Sequence, residues 1–103
     1  MKPTAVLVNV ARAEIVDEDA LYQTLRRGAI AGAILDVWYQ YPAGPGPTLP
    51  SRLPFHELGN VLMTPHVSGW TEGMLEARAE VIAENIRRVA RGEPPLHLVA
   101  TGA

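Results

Sequence analysis

The sequence predicts an α/β domain built on a parallel sheet of three strands. Apolar runs of strand length, rich in branched residues, occupy residues 5–11, 31–38 and 61–66. Continuous runs of this kind are typical of strands that are buried on both faces. Helical segments follow the first and third runs, and strands that alternate with helices imply parallel pairing through right-handed crossovers.

A helix is predicted over residues 16–28, directly after the first strand. Asp17 suits the N-cap position, and Val16 can pack against Leu21 as a hydrophobic staple. Gly28 suits the left-handed position that ends many helices. The first two strands are therefore expected to be joined through this helix.

The segment between the second and third strands is predicted to be a loop. Residues 42–54 contain five prolines and two glycines, which leave no room for a regular element. One helical turn is expected in "FHELGN", residues 55–60, just before the third strand. Loops of this length in compact domains are more often functional than idle.

A long helix is predicted near the C-terminal end of the sequence. Thr71 is expected to cap it, with Trp70 and Leu75 in staple positions. Gly92 ends it, and the prolines that follow lead into an extended tail, "LHLV". Its apolar residues form one stripe, at positions 74, 75, 81, 82, 86 and 89.

The composition excludes several classes of protein. Apolar residues make up 48% of the 103 residues and the net charge is −2, so the chain is globular in character and has no basic stripe for nucleic acid. No apolar run approaches the roughly 20 residues of a membrane span. The lack of cysteine excludes a disulfide framework, and no spacing of histidines and carboxylates indicates a metal site. We therefore expect a soluble, cytoplasmic protein that binds neither nucleic acid nor membrane.

Three polar residues stand at the ends of the predicted strands: Arg12, Asp36 and His66. The carboxyl ends of parallel strands share one edge, so we expect these side chains to converge on one crevice. Arginine can bind a carboxylate through paired hydrogen bonds, and histidine can transfer a proton near neutral pH. The set suits oxidation of a 2-hydroxy acid, with Arg12 on the carboxylate and His66 on the hydroxyl proton.

Each of these residues also has a simpler interpretation, and their spacing alone leaves both open. Arg12 can be a solvated loop arginine, Asp36 can cap a turn, and His66 can be a structural histidine after Thr-Pro. Trp38 and Tyr41 can pack in the core or form a pocket wall.

Several motifs together resemble a known family. They are N-V-A-R at 9–12, I-V-D-E-D-A-L at 15–21, A-G-A-I-L-D-V at 31–37, N-V-L-M-T-P-H at 60–66, and the later E-N-I and G-E-P-P. The combination resembles the C-terminal third of the D-isomer-specific 2-hydroxyacid dehydrogenases, which include phosphoglycerate, glycerate and D-lactate dehydrogenases. The resemblance covers the chain apart from the loop at residues 43–53.

The resemblance implies a homodimeric enzyme that uses NAD or NADP and acts on a small 2-hydroxy or 2-oxo acid. Residues 1–70 match the C-terminal half of a Rossmann-like nucleotide-binding domain. Residues 71–103 match the crossover helix and tail that return to a substrate domain. The implied site residues are the catalytic Arg12 and His66 and the cofactor-binding Val10, Ala11, Asp36 and Ser68.

The sequence departs from the family in three respects, of which the first two are residue replacements. Tyr41 stands where the family usually has a glutamate that pairs with the histidine. A tyrosine can hydrogen-bond the imidazole but does not stabilise its cation comparably, and Glu57 and Glu72 are alternative partners. Ala13 and Ser68 replace glycines, at a cost if either position has φ above zero.

The third departure is the absence of a Gly-rich phosphate loop from residues 1–103. Although the family is enzymatic, we therefore expect the isolated chain to bind NAD or NADP poorly and to be inactive. The alternatives are a truncated, non-catalytic remnant and a small α/β interaction module. The sequence does not specify the 2-hydroxy acid or the choice between NAD and NADP.

Overall fold

The computed structural model of the chain describes residues 1–100. The chain divides into two units, Met1–Gly69 and Trp70–Ala103. We refer to the first as the sheet unit and to the second as the helix unit.

The sheet unit contains three parallel strands in the order β1, β2, β3. The strands are β1 (Val6–Asn9), β2 (Gly32–Leu35) and β3 (Val61–Met63). Helix α1 (Glu18–Arg26) connects β1 to β2, and short 3-10 helices lie at Ala13–Ile15 and Phe55–Glu57. The helix unit contains α2 (Met74–Ala90). The predicted fold class, a parallel three-stranded sheet with a long C-terminal helix, is confirmed.

Each strand is shorter than its apolar run, because residues at the carboxyl ends stop the pairing. The strands are three or four residues long. After β1, Asn9 Oδ1 accepts the backbone N–H of Ala11 at 3.2 Å, a local turn that competes with strand pairing. After β3, Pro65 has no N–H to donate to a ladder.

One face of the sheet is packed and the other is exposed. The packed face shares its core with α1 and the loop before β3, formed by Leu21, Tyr22, Leu25, Ile30, Ala33, Leu35, Trp38 and Phe55. On the other face, Val6, Val8 and Leu62 are between 52% and 59% exposed. The prediction that the strands are buried on both faces is therefore wrong for β1 and β3, because α1 covers one side.

Helix α1 has the predicted N-cap and stop signal, although its regular part is shorter than predicted. Asp17 Oδ1 accepts the backbone N–H of Ala20 at 2.8 Å, which satisfies one of the free donors at the helix start. Gly28 has a φ of 64°, a left-handed conformation that glycine adopts without steric cost. Val16 packs against the core that contains Leu21.

The proline-rich loop has no regular structure, as predicted, but its end is tied to α1. Ser51 Oγ donates a hydrogen bond to Glu18 Oε1 at 2.6 Å, and Arg52 Nε lies 2.9 Å from Glu18 Oε2. Arg52 also pairs with Asp19. These contacts hold the loop against the first turn of α1. The carboxylates of Glu18 and Asp19 in that turn also interact favourably with the positive end of the helix dipole.

Helix α2 begins later than predicted. Its N-cap is Gly73, with a φ of 77°, and not Thr71. A left-handed glycine turns the chain just before the first helical residue, which leaves Thr71 upstream of the helix. Trp70 and Leu75 are 74% and 75% exposed, so the predicted staple is wrong. The stop at Gly92 is confirmed by its φ of 74°.

The apolar stripe of α2 is exposed, and α2 has no buried residue. Ile86, for example, is 66% exposed. The tail is not simply extended, because it turns at His97, whose φ is 57°. There the Leu96 N–H donates to Asn85 Oδ1 at 2.7 Å. Residues 101–103 of the tail lie outside the described residues.

Two further findings concern residues 1–100 as a set. None of their helices is long and apolar enough to cross a membrane. No three of their histidine or carboxylate side chains come together in a way that could hold a metal ion.

Gly32 opens β2 at a point where the backbone of Asn60 passes close by. A Cβ at position 32 would lie 2.5 Å from the Asn60 carbonyl oxygen, which already accepts the Ala33 N–H at 2.9 Å. We therefore expect Gly32→Ala to lower the free energy of unfolding by about 1–3 kcal/mol. Urea denaturation followed by circular dichroism measures this change.

Gly59→Ala is the matched control, since a Cβ at Gly59 meets nothing within 4 Å. Equal free energies of unfolding for the two variants would contradict the close approach at β2.

Candidate functional site

The carboxyl ends of the three strands lie side by side, as the parallel order requires. Asn9, Leu35 and Met63 are in register. The Asp36 N–H donates to the Asn9 carbonyl oxygen at 3.0 Å. The Thr64 N–H donates to the Leu35 carbonyl oxygen, also at 3.0 Å. Asp36 and Thr64 therefore leave the sheet together, at the edge where open α/β sheets usually bind ligands.

The Asp36 carboxylate is buried and binds the segment that follows β3. Its Oδ1 accepts the Thr64 hydroxyl at 2.6 Å and the Val67 N–H at 2.9 Å. Its Oδ2 accepts the Ser68 N–H at 2.9 Å. Asp36 is 1% exposed, so its carboxylate has lost its contact with water. The three donors supply the hydrogen bonds that water would give to an exposed carboxylate.

These donors also set the pKa of Asp36. Burial by itself raises the pKa of a carboxyl group. Hydrogen bonds from the side chains of Ser68 and Thr64 and from the backbone of Ser68 and Val67 outweigh burial and hold the pKa of Asp36 well below its usual range. Asp36 is therefore an acceptor at neutral pH and does not donate a proton.

His66 lies in the middle of the segment that Asp36 binds. Its φ is 60°, a left-handed conformation that is uncommon for a residue with a Cβ. Its Nδ1 lies 3.0 Å from the Oη of Tyr41. Tyr41, the residue that departs from the family pattern, is therefore the direct hydrogen-bond partner of the His66 ring.

His66 and Tyr41 line a cleft with a volume of about 500 Å³. Much of the remaining wall is apolar, formed by Trp38, Pro42, Pro50 and Pro65. Trp38 is 6% exposed and its indole Nε1 donates to the Thr64 carbonyl oxygen at 2.9 Å. Trp38 therefore both packs in the core and fixes one side of the cleft.

The side chain of Arg12 is exposed and contacts its own backbone neighbour. Its Nη1 donates to the Ala11 carbonyl oxygen at 2.7 Å. The turn that carries it is held by Asn9, whose Nδ2 donates to the Arg12 carbonyl oxygen at 2.9 Å. Within residues 1–100, no hydrogen bond or ion pair joins Arg12 to Asp36 or His66. The structure thus brings Asp36 and His66 together on one segment and leaves Arg12 at the end of β1.

The other predicted site residues are Val10, Ala11 and Ser68, and all are exposed. Val10 and Ala11 follow β1, and Ser68 follows β3 with its N–H on Asp36. All of them therefore stand at the carboxyl edge of the sheet. Their contact with a cofactor stays a prediction.

The glycine replacements at Ala13 and Ser68 carry no left-handed strain. Among residues 1–100, the non-glycine residues with φ above zero are His66 and His97. Ala13 is 2% exposed, so its methyl group is packed in the interior. The cost that a positive φ would have imposed does not arise at either position.

The alternative partners for His66 have different positions in the fold. Glu57 Oε1 lies 4.0 Å from His56 Nε2, and its side chain is exposed. Glu72 belongs to the helix unit. In the sheet unit, the group that contacts the His66 ring is the Tyr41 hydroxyl.

Two residues that shape this edge were not singled out by the sequence: Asn9 and Thr64. An asparagine at the end of a valine-rich run often bonds to the backbone two residues on, so Asn9 could have been identified. The contact of Thr64 with Asp36 joins residues 28 positions apart, and no local pattern shows it.

Comparison with known proteins identifies the family. Residues 1–68 match the family described as D-isomer specific 2-hydroxyacid dehydrogenase, NAD binding domain. The match covers more than half of the chain, and the chain belongs to this family. The resemblance stated from the motifs is confirmed.

Individual relatives agree with this assignment. Glyoxylate reductase of Thermococcus onnurineus (strain NA1) is 43% identical over 103 residues, covering 96% of this chain and 28% of the relative. A D-isomer specific 2-hydroxyacid dehydrogenase from Xanthobacter autotrophicus Py2, in complex with NADPH and MES, has a TM-score of 0.75 at 40% identity, covering 97% of this chain and 38% of that one. D-lactate dehydrogenase with NAD+ from Lactobacillus jensenii has a TM-score of 0.77 at 28% identity, covering 98% and 32%. The chain therefore spans 28% of the length of the Thermococcus onnurineus glyoxylate reductase.

The lowered pKa of Asp36 makes part of the stability depend on pH. As pH falls below the ordinary value of 3.8, the unfolded chain binds a proton before the folded chain does. The stabilisation is therefore complete above 3.8 and is lost as pH falls through the lower folded-state pKa. We expect Asp36→Asn to destabilise the chain at about pH 7, and the deficit to shrink below about pH 4, in urea denaturation at a series of pH values.

Glu14→Gln is the control, because it removes an exposed carboxylate from the short 3-10 helix. It should change the free energy of unfolding by no more than about 0.5 kcal/mol. An Asp36→Asn deficit of the same size at about pH 3 and about pH 7 would contradict the pKa of Asp36 described above.

Proposed function

We propose that the chain supplies the catalytic edge of an NAD(P)-dependent 2-hydroxyacid dehydrogenase, which transfers hydride between a nicotinamide and a small 2-hydroxy or 2-oxo acid. The observation that carries the proposal is the imidazole of His66, held in a cleft at the carboxyl edge of the sheet. Membership of the family supports the reaction class. The related glyoxylate reductase and D-lactate dehydrogenase support a small acid as substrate.

In this proposal His66 is the acid/base residue. In reduction it donates a proton to the oxygen that becomes the hydroxyl, and in oxidation it takes that proton back. The Nδ1 atom is engaged with Tyr41, which leaves Nε2 for the substrate.

Arg12 is proposed to bind the substrate carboxylate. Its planar guanidinium can donate two parallel hydrogen bonds to a carboxylate. The side chain is exposed, and the bond from its Nη1 to the Ala11 carbonyl must open before Arg12 can engage a substrate. A carboxylate fixed in this way would orient the neighbouring carbonyl for the proton from His66.

The residues of this edge fit the nicotinamide end of NAD or NADP. Val10, 52% exposed, offers an apolar surface to a ring, and the small side chains of Ala11 and Ser68 allow close approach. Asp36, whose carboxylate is engaged by Thr64, Val67 and Ser68, is proposed to hold the backbone that borders this end of the cofactor. When bound, the nicotinamide supplies or accepts the hydride. No Gly-rich phosphate loop is present in residues 1–103, so this fit does not extend to the pyrophosphate.

We also propose that residues 1–70 form the C-terminal half of a nucleotide-binding domain and that residues 71–103 go with a substrate domain. The division of the chain after Gly69 supports this boundary, as does the end of the family match at residue 68. The exposed apolar faces of the sheet and of α2 support burial against further protein surfaces.

The proposal includes a cytoplasmic homodimer. The apolar stripe of α2 supports a second protein surface against it, and the cysteine-free sequence fits a reducing compartment. Sedimentation of the natural polypeptide and fractionation of cells test these two points. A monomer would contradict the first, and a secreted protein would contradict the second.

The central test is turnover by the natural polypeptide that contains this sequence. We expect NADH or NADPH to be consumed in the presence of glyoxylate or another small 2-oxo acid. His66→Asn should lower kcat by about 10²–10⁴-fold, because the positioned proton donor is lost. His56→Asn, at an exposed histidine in the Phe55–Glu57 helix, should leave kcat near that of the unsubstituted protein.

Arg12→Ala should lower kcat/KM by at least about tenfold through loss of a charge-assisted contact to the carboxylate, with Arg26→Ala as the matched control on α1. No turnover of any 2-oxo acid with either nucleotide would contradict the proposal. That result would favour a non-catalytic remnant or an interaction module.

A further inference from the structure

We propose that Thr64 is a positioning residue for His66, because its hydroxyl anchors the backbone that carries the imidazole to the carboxylate of Asp36. The inference rests on the proposed function, since the position of His66 matters to turnover only when His66 is the acid/base residue. Three observations carry it: the exposure of His66, the hydrogen bonds of Thr64, and an oxygen atom of Asp36 at which both ends of a short segment meet.

Core packing does not hold His66, which is exposed, as is Pro65 before it. The backbone of His66 is in the left-handed region, with a φ of 60°. Histidine adopts this conformation more often than most residues with a Cβ, but it is still uncommon. The direction in which the imidazole leaves the backbone therefore depends on how the residues on either side are held.

Thr64 is bound to β2 and to the residues after it through all three of its polar groups. Its N–H donates to the Leu35 carbonyl oxygen at 3.0 Å, and its carbonyl oxygen accepts the Trp38 indole N–H at 2.9 Å. Its hydroxyl donates to Asp36 Oδ1 at 2.6 Å. Any residue except proline could make the two backbone bonds, so the hydroxyl is what threonine adds.

Asp36 Oδ1 joins the two ends of the Pro65–His66 pair. It accepts the Thr64 hydroxyl from the residue before the pair and the Val67 N–H, at 2.9 Å, from the residue after it. The neighbouring Oδ2 accepts the Ser68 N–H at 2.9 Å, which limits rotation of the carboxylate. The pair is therefore held at both ends by one side chain.

The chemistry of the groups fixes the direction of each of these bonds. A backbone N–H can only donate, and an ionised carboxylate can only accept. Burial raises the pKa of Asp36, but its hydrogen bonds outweigh burial and hold the pKa well below its usual range. The carboxylate is therefore ionised at neutral pH, and the Thr64 hydroxyl is the donor. Because Asp36 is 1% exposed, loss of this donor would leave a buried charge with one partner fewer.

Loss of the hydroxyl would release one end of the pair, and the acid/base role is sensitive to such a release. Proton transfer requires the imidazole within hydrogen-bonding reach of the reacting oxygen, and a displacement of about 1 Å can lower a rate about 100-fold. In the proposed function the substrate carboxylate is bound by Arg12, which follows a different strand. We therefore expect Thr64 to affect kcat far more than KM.

The first measurement is turnover of a 2-oxo acid by the natural polypeptide that contains this sequence. Thr64→Val keeps the shape of the side chain and removes the hydroxyl, so it should lower kcat at least about tenfold, with little change in KM for the acid. Thr64→Ser keeps the hydroxyl and should retain most of the kcat. Thr4→Val is the matched control, because Thr4 is exposed and precedes β1, and it should leave kcat unchanged.

The second measurement is amide hydrogen exchange in the same proteins. We expect the amides of Val67 and Ser68 to be protected in the unsubstituted protein, because both donate to Asp36. In Thr64→Val they should exchange at least about tenfold faster, while exchange in β1 and α1 stays the same. A general loss of stability would instead speed exchange in those elements as well.

Three results would overturn the proposal. They are an unchanged kcat in Thr64→Val, a kcat of Thr64→Ser as low as that of Thr64→Val, and unprotected amides at positions 67 and 68 of the unsubstituted protein. If Thr64→Val does not fold, Thr64→Cys takes its place. Its thiol is a weaker donor, so its kcat should be lower than that of Thr64→Ser, and equal values would contradict the proposal.

The two measurements separate this inference from the proposed function. If the amides of Val67 and Ser68 are protected in a way that depends on the Thr64 hydroxyl, but no 2-oxo acid is turned over, the proposed function fails and the anchoring of the segment is supported. If a 2-oxo acid is turned over and Thr64→Val leaves kcat unchanged, the inference fails alone.

Discussion

The buried carboxylate of Asp36 is the group on which the rest of the site depends. It stands at the end of β2, and its donors come from the segment that follows β3. Backbone pairing between these strands has ended by that point, so the carboxylate extends their connection beyond the sheet. The segment cannot move away without leaving a buried charge unsatisfied, which is far costlier than losing one surface contact. The left-handed backbone of His66 lies between two flanks that are both held in this way.

Aromatic packing beneath the sheet supports the same edge. Tyr22 on α1 meets Phe55 edge to face, with ring centroids 5.3 Å apart. Tyr39, which follows β2, stacks on the same Phe55 ring at 6.4 Å. Phe55 is 1% exposed and thus joins the helix, the end of β2 and the loop in one core. The cleft is built on this packed side, and the exposed face of the sheet takes no part in it.

Local patterns predicted the elements of the fold but not the contacts between distant residues. Asp17 and Gly28 act within one helical turn of their neighbours, so their positions follow from sequence. The cap of α2 was misassigned because Thr71 is the stronger cap by residue type, while the actual boundary depends on the backbone of Gly73. Exposure of β1 and β3 on one face depends on which elements cover the sheet, and composition does not contain that information.

For the site, the placement of Asp36 and His66 at one edge followed from the parallel order of the strands. The hydrogen bonds of Asp36 did not, because they depend on residues about 30 positions away.

The link between the loop and α1 has a consequence for how the molecule opens. Pro50 forms part of the cleft wall, and its carbonyl oxygen accepts the N–H groups of Tyr39 and Gln40 at 3.1 and 3.0 Å. The next two residues, Ser51 and Arg52, bind the first turn of α1. We therefore expect the wall and the helix start to open together in local unfolding. A small molecule that fills the cleft would slow amide hydrogen exchange in α1, although α1 contributes no residue to the cleft.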